Sequence, residues 1–331
     1  MVRRAVISAP GRANLEFAPD PGEPGPGEVL LKPLAVGICG SDLHVYQGHH
    51  PFVRYPVYPG HEVVGQVVVV GDGVEKEWSG ALAVLEPSLF CGRCEPCRSG
   101  RYNICEELKV LGFQAPGAMG EAFRVAANCL HRLPDGVPPE FGALVEPLAV
   151  AVHGLRLVEV RGLKVGVFGG GTIGLLAAQV ARAYGAAQVE VVEPVPSRRA
   201  QALNLGLKAV LEPGELYHVV LECVGTEGSL EGAVQSLLKG GEVVVMGVFG
   251  GPVRFSAHLV QDREIVIRGS LMYTFRDFDE AIRLMAQGLV QVAPVITHRF
   301  PLSQVEMAFQ KALDREEALK VLVMIDEEGR V

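Results

Sequence analysis

Cys91, Cys94, Cys97 and Cys105 fall within one short run, CGRCEPCRSGRYNIC, of a chain that has 7 cysteines in all. The spacing C-x2-C-x2-C-x7-C can surround a single metal ion, and two cluster types compete for it. The bacterial iron–sulfur run is C-x2-C-x2-C-x3-C-P. Here the fourth cysteine comes later and is followed by Glu106 rather than proline. Four thiolates around a tetrahedral zinc ion fit better, and a closed site of that kind leaves no position for substrate, so its role is structural. Such a metal would fix a lobe, about residues 88–108, that has too little core to fold alone. An iron–sulfur cluster and empty reduced thiols are the alternatives. Cys129 and Cys223 read as buried small hydrophobes.

A glycine turn marks a second chemistry. Gly169, Gly171 and Gly174 fit G-x-G-x-x-G in the run GLKVGVFGGGTIG, directly after an apolar strand-like stretch and at the start of a helical one. Glycines there permit a tight turn and close approach of backbone N–H groups to a pyrophosphate, and the helix start at Thr172 and Ile173 supplies positive potential. Glu193 ends the next strand-like run about 20 residues on, where an acid accepts hydrogen bonds from ribose hydroxyls and repels a 2′-phosphate. NAD is therefore expected over NADP. Arg198 and Arg199 pull the other way, since a nearby arginine can accommodate the phosphate. A merely structural glycine turn with solvated arginines is the plain alternative.

A second metal site is suggested by Cys39 in VGICGSDLHVY and His61 in YPGHEVVG. Catalytic zinc takes about three protein ligands and keeps an open position. Glu62 and Glu146 are the candidates for the third. His61-Glu62 is no zincin motif, because Gly65 stands where the second histidine should be. Residue chemistry alone leaves equal room for a core cysteine beside a surface histidine.

In order along the chain, GICGSDLH, PGHE, CGRCEPCRSGRYNIC, EPLAVAVHG and VFGGGTIG resemble the zinc-containing medium-chain dehydrogenases. The likeness is greatest to the sorbitol, polyol and sugar dehydrogenase branch, and it runs to ITHRFPLSQVEMAF near the end. The resemblance implies a GroES-like β-rich catalytic domain, built from both chain ends, around an inserted Rossmann domain. It implies one catalytic and one structural zinc per subunit, and a homo-oligomer, dimer or tetramer. Cys39, His61 and one glutamate, Glu62 or Glu146, match the catalytic ligands. Ser41 and His44 match a relay that passes the proton outward; a helix-capping serine and a surface histidine are the alternatives. A secondary alcohol, first a polyol, is the implied substrate. Sugar or L-threonine oxidation, and a non-catalytic nucleotide sensor of the same fold, are the other readings.

These residues need elements to hold them. Residues 1–148 are rich in turn signals, as in PDPGEPGPGE, between β-branched runs such as EVVGQVVVV, and read as the mostly β unit. Residues 149–271 alternate strand, glycine turn and helix, which argues for an α/β parallel sheet with crossover helices. Runs at Leu216–Gly225, Gly241–Gly247 and Arg263–Gly269 read as buried strands. Residues 272–331 carry two helical segments and a last strand, ALKVLVMI, and are expected to return to the first domain. Between Val210 and Leu216 the stretch LEPGE leaves no room for the usual crossover helix. His153 and His218 read as structural histidines.

With 331 residues, two domains are the natural expectation. Apolar residues make up 49% and charged ones 21%, as in ordinary globular proteins. A net charge of −8 opposes binding to nucleic acid or anionic lipid. The N-terminus shows no signal-peptide pattern and no run suits a membrane span, so a cytoplasmic location is expected, where thiols stay reduced.

Overall fold

In a computed structural model the chain forms two compact units, and residues 1–325 are described. The first comprises Met1–Glu146 together with the chain from Ile296 onward; the second is Pro147–Val295. The expected last segment therefore rejoins the first unit later than residue 272, and its final residues, 326–331, lie outside the described ones.

The reason for the later boundary lies in side chains of the helix Phe275–Ala286 and its flanks. Asp277, buried, accepts from His153 Nδ1 at 2.9 Å and from Arg156 Nη1 at 2.9 Å. Gln179 and Gln291 exchange amide hydrogen bonds of 3.1 and 2.8 Å. Tyr273, Phe278, Ala281 and Leu284 are fully buried. An amphipathic helix has to bury one face, and these ties commit this one to the second unit.

The first unit is built on a seven-stranded sheet. Its central strand, Glu28–Ile38, pairs antiparallel with Glu62–Val70 on one side and with the terminal strand Lys320–Met324 on the other. Alternating burial along Glu28–Ile38 puts Val29, Leu31 and Val36 into a core shared with Val63, Val67, Val321 and Val323. Both chain ends thus contribute to one sheet.

The second unit holds a six-stranded parallel sheet. Its spatial order is Lys208–Val210, Gln188–Val192, Lys164–Phe168, Tyr217–Glu222, Leu237–Val245 and Val266–Gly269. In chain order that is 3-2-1-4-5-6, the doubly wound arrangement. The inner strands are continuous apolar runs, as burial on both faces requires. The outermost strand differs from the expected buried one: all four of its residues are exposed, because it forms the sheet edge.

No helix joins Val210 to Tyr217. The Tyr217 ring fills the space left over Gly166, where a Cβ would come within 2.6 Å of it, and its hydroxyl bonds to buried Glu190. Glu190 also pairs with Lys208, and Glu215 with Lys164. Charge and one aromatic ring cover the face that a crossover helix would otherwise occupy.

Candidate active site and metal centres

Three chain segments of the first unit converge at Cys39. The strand Glu28–Ile38 delivers it to the N-cap of the short helix Gly40–Tyr46, where Asp42 Oδ2 accepts the Cys39 N–H at 2.9 Å. His61 and Glu62 open the neighbouring strand, and Glu62 lies opposite Gly37 in the register. A Cβ at residue 37 would stand 2.0 Å from Glu62 Oε2, so only glycine leaves room for that carboxylate. One donor atom each from Cys39, His61 and Glu62 lie within 4.8 Å of one another.

Lys320, from the strand Lys320–Met324, completes the arrangement. Its Nζ donates to Glu62 Oε2 at 2.5 Å, to Oε1 at 2.7 Å and to the Ile38 carbonyl at 3.1 Å. Lysine and glutamate are both almost fully buried. Burial disfavours the charged lysine, yet Glu62, Cys39 and Glu146 together raise its pKa. His61 behaves alike: burial opposes its protonation, but Asp42 and Cys39 raise its pKa well above the ordinary histidine value. Both shifts report a buried surplus of negative charge. Thiolate, imidazole and carboxylate in such a pocket fit a zinc ion, which would offset that surplus. His61 Nδ1 and Asp42 Oδ1, 3.6 Å apart and both buried, lack hydrogen-bond partners among the described residues. Asp42 is placed to orient the imidazole, as carboxylates behind ligating histidines do.

Glu146 lies in the first turn of the helix Val145–Arg156, buried, and is not in the Cys39–His61–Glu62 set. Its charge nevertheless acts on Lys320. Ser41 sits inside the first turn of its helix, and the cap position belongs to Cys39. His44 is partly buried, and burial, then His49, then Arg315 lower its pKa. Phe113 walls the site, with ring centroids 4.9 Å from His61 and 5.1 Å from His50.

The four remaining candidate ligands also converge. Donor sulfurs of Cys91, Cys94, Cys97 and Cys105 lie within 4.8 Å of one another. Backbone N–H groups point at them: Cys94 N to Cys91 Sγ at 3.4 Å, and Cys91 N and Glu107 N to Cys105 Sγ at 3.3 Å each. The N–H groups of Arg93 and Cys94 bring the Cys91 thiol down to about 6, so a thiolate forms near neutral pH. Four sulfurs so placed fit a closed zinc site. A triad anchors this lobe: half-buried Tyr102 donates its Oη–H to buried Glu86 at 2.7 Å, and Glu86 is bonded to buried His131 Nε2 at 2.9 Å.

In the second unit, Gly169 (φ +103°) turns the chain from the strand Lys164–Phe168 into the helix Thr172–Ala183, capped by Gly171. A Cβ on Gly174 would stand 1.8 Å from the Gly169 carbonyl, which explains the third glycine. Glu193 is nearly buried and accepts from Gly170 N at 2.6 Å and Val195 N at 2.8 Å. The guanidinium of Arg198 approaches the Gly171 side of the turn, while Arg199 donates to the Glu193 carbonyl at 2.7 Å. His153 bonds Asp277, and His218 Nδ1 accepts the Lys164 N–H at 3.2 Å; each has a structural partner.

Lys320, Asp42, Phe113 and His50 were not singled out by the motifs. A lysine inside the otherwise apolar ALKVLVMI was the one signal available for Lys320.

Comparison with known proteins agrees with this geometry. Residues 25–135 match the family model "Alcohol dehydrogenase GroES-like domain", and residues 172–287 match "Zinc-binding dehydrogenase". Sorbitol dehydrogenase of Ovis aries is 36% identical over 343 residues, covering 97% of this chain and 96% of its own. L-galactonate-5-dehydrogenase of Escherichia coli K12 is 33% identical over 317 residues, covering 91% and 92%. Among solved structures, a zinc-binding dehydrogenase from Sinorhizobium meliloti 1021 bound to NADP superposes with a TM-score of 0.91 at 31% identity, over 98% of this chain and 99% of that one. With both halves matched, and sorbitol and galactonate dehydrogenases among its relatives, the chain belongs to the zinc-dependent medium-chain alcohol dehydrogenases, in their polyol and sugar dehydrogenase branch.

Proposed function

We propose that the protein oxidises a secondary hydroxyl of a polyhydroxylated small molecule, a sorbitol-like polyol first, with NAD as hydride acceptor. The observation that carries this reading is the set Cys39, His61 and Glu62, whose donor atoms lie within 4.8 Å of one another, with His61 and Glu62 buried. Zinc bound there would supply Lewis acidity that lowers the pKa of a substrate hydroxyl, and a bound nicotinamide would supply the hydride acceptor. The alcohol carbon gives up hydride and the hydroxyl a proton, which leaves a ketone. Cys39 and His61 would hold the metal, with one glutamate at a time, Glu62 or Glu146, as third ligand. The Lys320 ammonium, bonded to both Glu62 oxygens, offsets part of the negative charge gathered at the site. His44, whose lowered pKa keeps it neutral near pH 7, is fitted to take the proton outward with Ser41.

Gly169, Gly171, Thr172, Ile173 and Gly174 would bind the pyrophosphate, and Glu193 would take the adenosine ribose. NAD is favoured because a buried carboxylate beside the turn repels a 2′-phosphate; the NADP in the Sinorhizobium relative and Arg198 here favour the other cofactor. A homo-oligomer is supported by the exposed edge strand Val266–Gly269. A reducing, cytoplasmic setting is supported by 7 free cysteines. No helix among the described residues is long and apolar enough to cross a membrane.

The test is incubation of zinc-loaded protein with NAD and a panel of polyols, sugars and L-threonine, read as absorbance of reduced cofactor. Reduction with polyols supports the proposal. Tight NAD binding without reduction of any panel member would favour the sensor reading instead.

A further inference from the structure

One imidazole beside the metal-ligand set has no part in the mechanism above. The loop that leaves the helix Gly40–Tyr46 turns at Gly48 (φ +78°) and is tied back to that helix. Gly48 N and His49 N donate to the Val45 and His44 carbonyls at 2.9 and 2.8 Å, and Tyr55 Oη donates to the Val45 carbonyl. Held between these ties, His50 stacks on Phe113, with ring centroids 5.1 Å apart and planes at 14°. Phe113 in turn packs on His61, with centroids 4.9 Å apart, so His50 stands one phenyl ring from a metal ligand. The two nitrogens of His50 differ. Nδ1 accepts the Phe52 N–H at 3.3 Å, which requires a bare lone pair there, so the neutral ring carries its proton on Nε2. Burial and then His44 lower the His50 pKa against the opposing pull of Asp42, in agreement with a neutral ring. Among the described residues nothing accepts from Nε2, and the ring is only half-buried, so a ligand can reach it.

A substrate that presents one hydroxyl to Cys39, His61 and Glu62 has to lay the rest of its carbon chain against the walls of the site, of which Phe113 is one. Hydrocarbon brought over His50 would cover the Nε2–H and pair it with nothing. A chain that carries oxygen accepts the bond, and a polar group placed to meet a substrate hydroxyl selects against analogues that lack one. We infer that His50 sets the specificity of this site for polyhydroxylated substrates, its Nε2–H donating to a hydroxyl oxygen that lies beyond the carbon being oxidised. The inference rests on the dehydrogenase reading above and deepens it, because it assigns the preference for a polyol over a simple alcohol to one residue.

The test compares 2-butanol, which has no second oxygen, with xylitol and sorbitol on the zinc-loaded full-length protein. Two readouts are taken: kcat and KM with NAD, and direct polyol binding by calorimetry. Two variants separate the donor from the ring, since His50→Phe keeps an aromatic ring for Phe113 but removes the N–H, and His50→Gln gives up the ring but restores an N–H. Expected is a wild-type preference for at least one polyol over 2-butanol of about tenfold or more in kcat/KM. That ratio should fall about three- to tenfold in His50→Phe, chiefly through KM, and return most of the way in His50→Gln. Turnover with no polyol preference, a ratio unmoved in His50→Phe, or a ratio equally low in both variants overturns the inference and leaves the dehydrogenase reading standing. Polyol binding that weakens in His50→Phe and returns in His50→Gln, without cofactor reduction by any alcohol, supports the His50 contact and overturns the reading beneath it. Neither turnover nor polyol binding overturns both.

Discussion

Lys320 Nζ lies 2.5 and 2.7 Å from the two carboxylate oxygens of Glu62, and the buried pair reaches across the strand Glu28–Ile38 that separates their own two strands in one sheet. Removing one partner of such a pair leaves an unpaired buried charge. Lys320→Met should therefore lose about 3–5 kcal/mol in denaturant unfolding, and Glu62→Gln a comparable amount. The double variant should recover a large part of the sum, because both charges are gone. Strict additivity of the two losses would show that the pair is not coupled.

The acid limb of the pH–rate profile should depend on His44. Burial, His49 and Arg315 lower its pKa, so it stays neutral as the pH falls through the ordinary histidine value and gains its proton only below that. As a proton acceptor it works when neutral, so oxidation should persist into mildly acidic pH and fall only further down. His44→Ala should slow oxidation about tenfold or more, most strongly below neutral pH where hydroxide is scarce. An unchanged kcat/KM profile would remove His44 from the relay.

Two zinc ions per chain should be found by elemental analysis, and Cys105→Ser should retain only one. The same variant should lower thermal stability, since a structural zinc contributes folding free energy directly. Tyr102→Phe, which breaks the bond to Glu86, should keep both ions and cost about 1 kcal/mol. Loss of the second ion on Cys105→Ser would mean that the two sites are not separate.

Glu193→Ala should weaken NAD binding about tenfold and shift the NAD to NADP preference toward NADP, with Arg198 left to meet the phosphate. Because Glu193 also accepts the Gly170 N–H, Glu193→Gln separates charge from turn geometry. An NAD to NADP ratio unmoved by both changes would assign Glu193 to the turn alone.

The four-cysteine set and the glycine turn were legible because their residues lie close in sequence with distinctive spacing, whereas Cys39, His61 and a glutamate were drawn together only by the family resemblance. Cys91–Cys105 is one loop, and the turn itself requires glycine at 169, for its positive φ, and at 174, where a Cβ would meet the Gly169 carbonyl. Lys320 was not legible, because its partner Glu62 is 258 residues away and only the sheet register brings them together. The boundary expected near 272 failed for a related reason. Helical periodicity in Phe275–Ala286 shows that one face is buried but not which sheet it meets; Asp277, His153 and Arg156 decide that. The sparse connection Val210–Tyr217 was anticipated from length, but the Tyr217 ring over Gly166 that replaces a helix was not.

The strand that carries Lys320 pairs with Glu28–Ile38, and Lys320 stands 282 residues from the Ile38 carbonyl that it bonds. Cys39, His61 and Glu62 can be brought together without it, but their counter-ion arrives only when that distant strand docks. A chain in which this strand is undocked would keep a carboxylate with no cation beside it, so assembly of the metal pocket and closure of the sheet are one event.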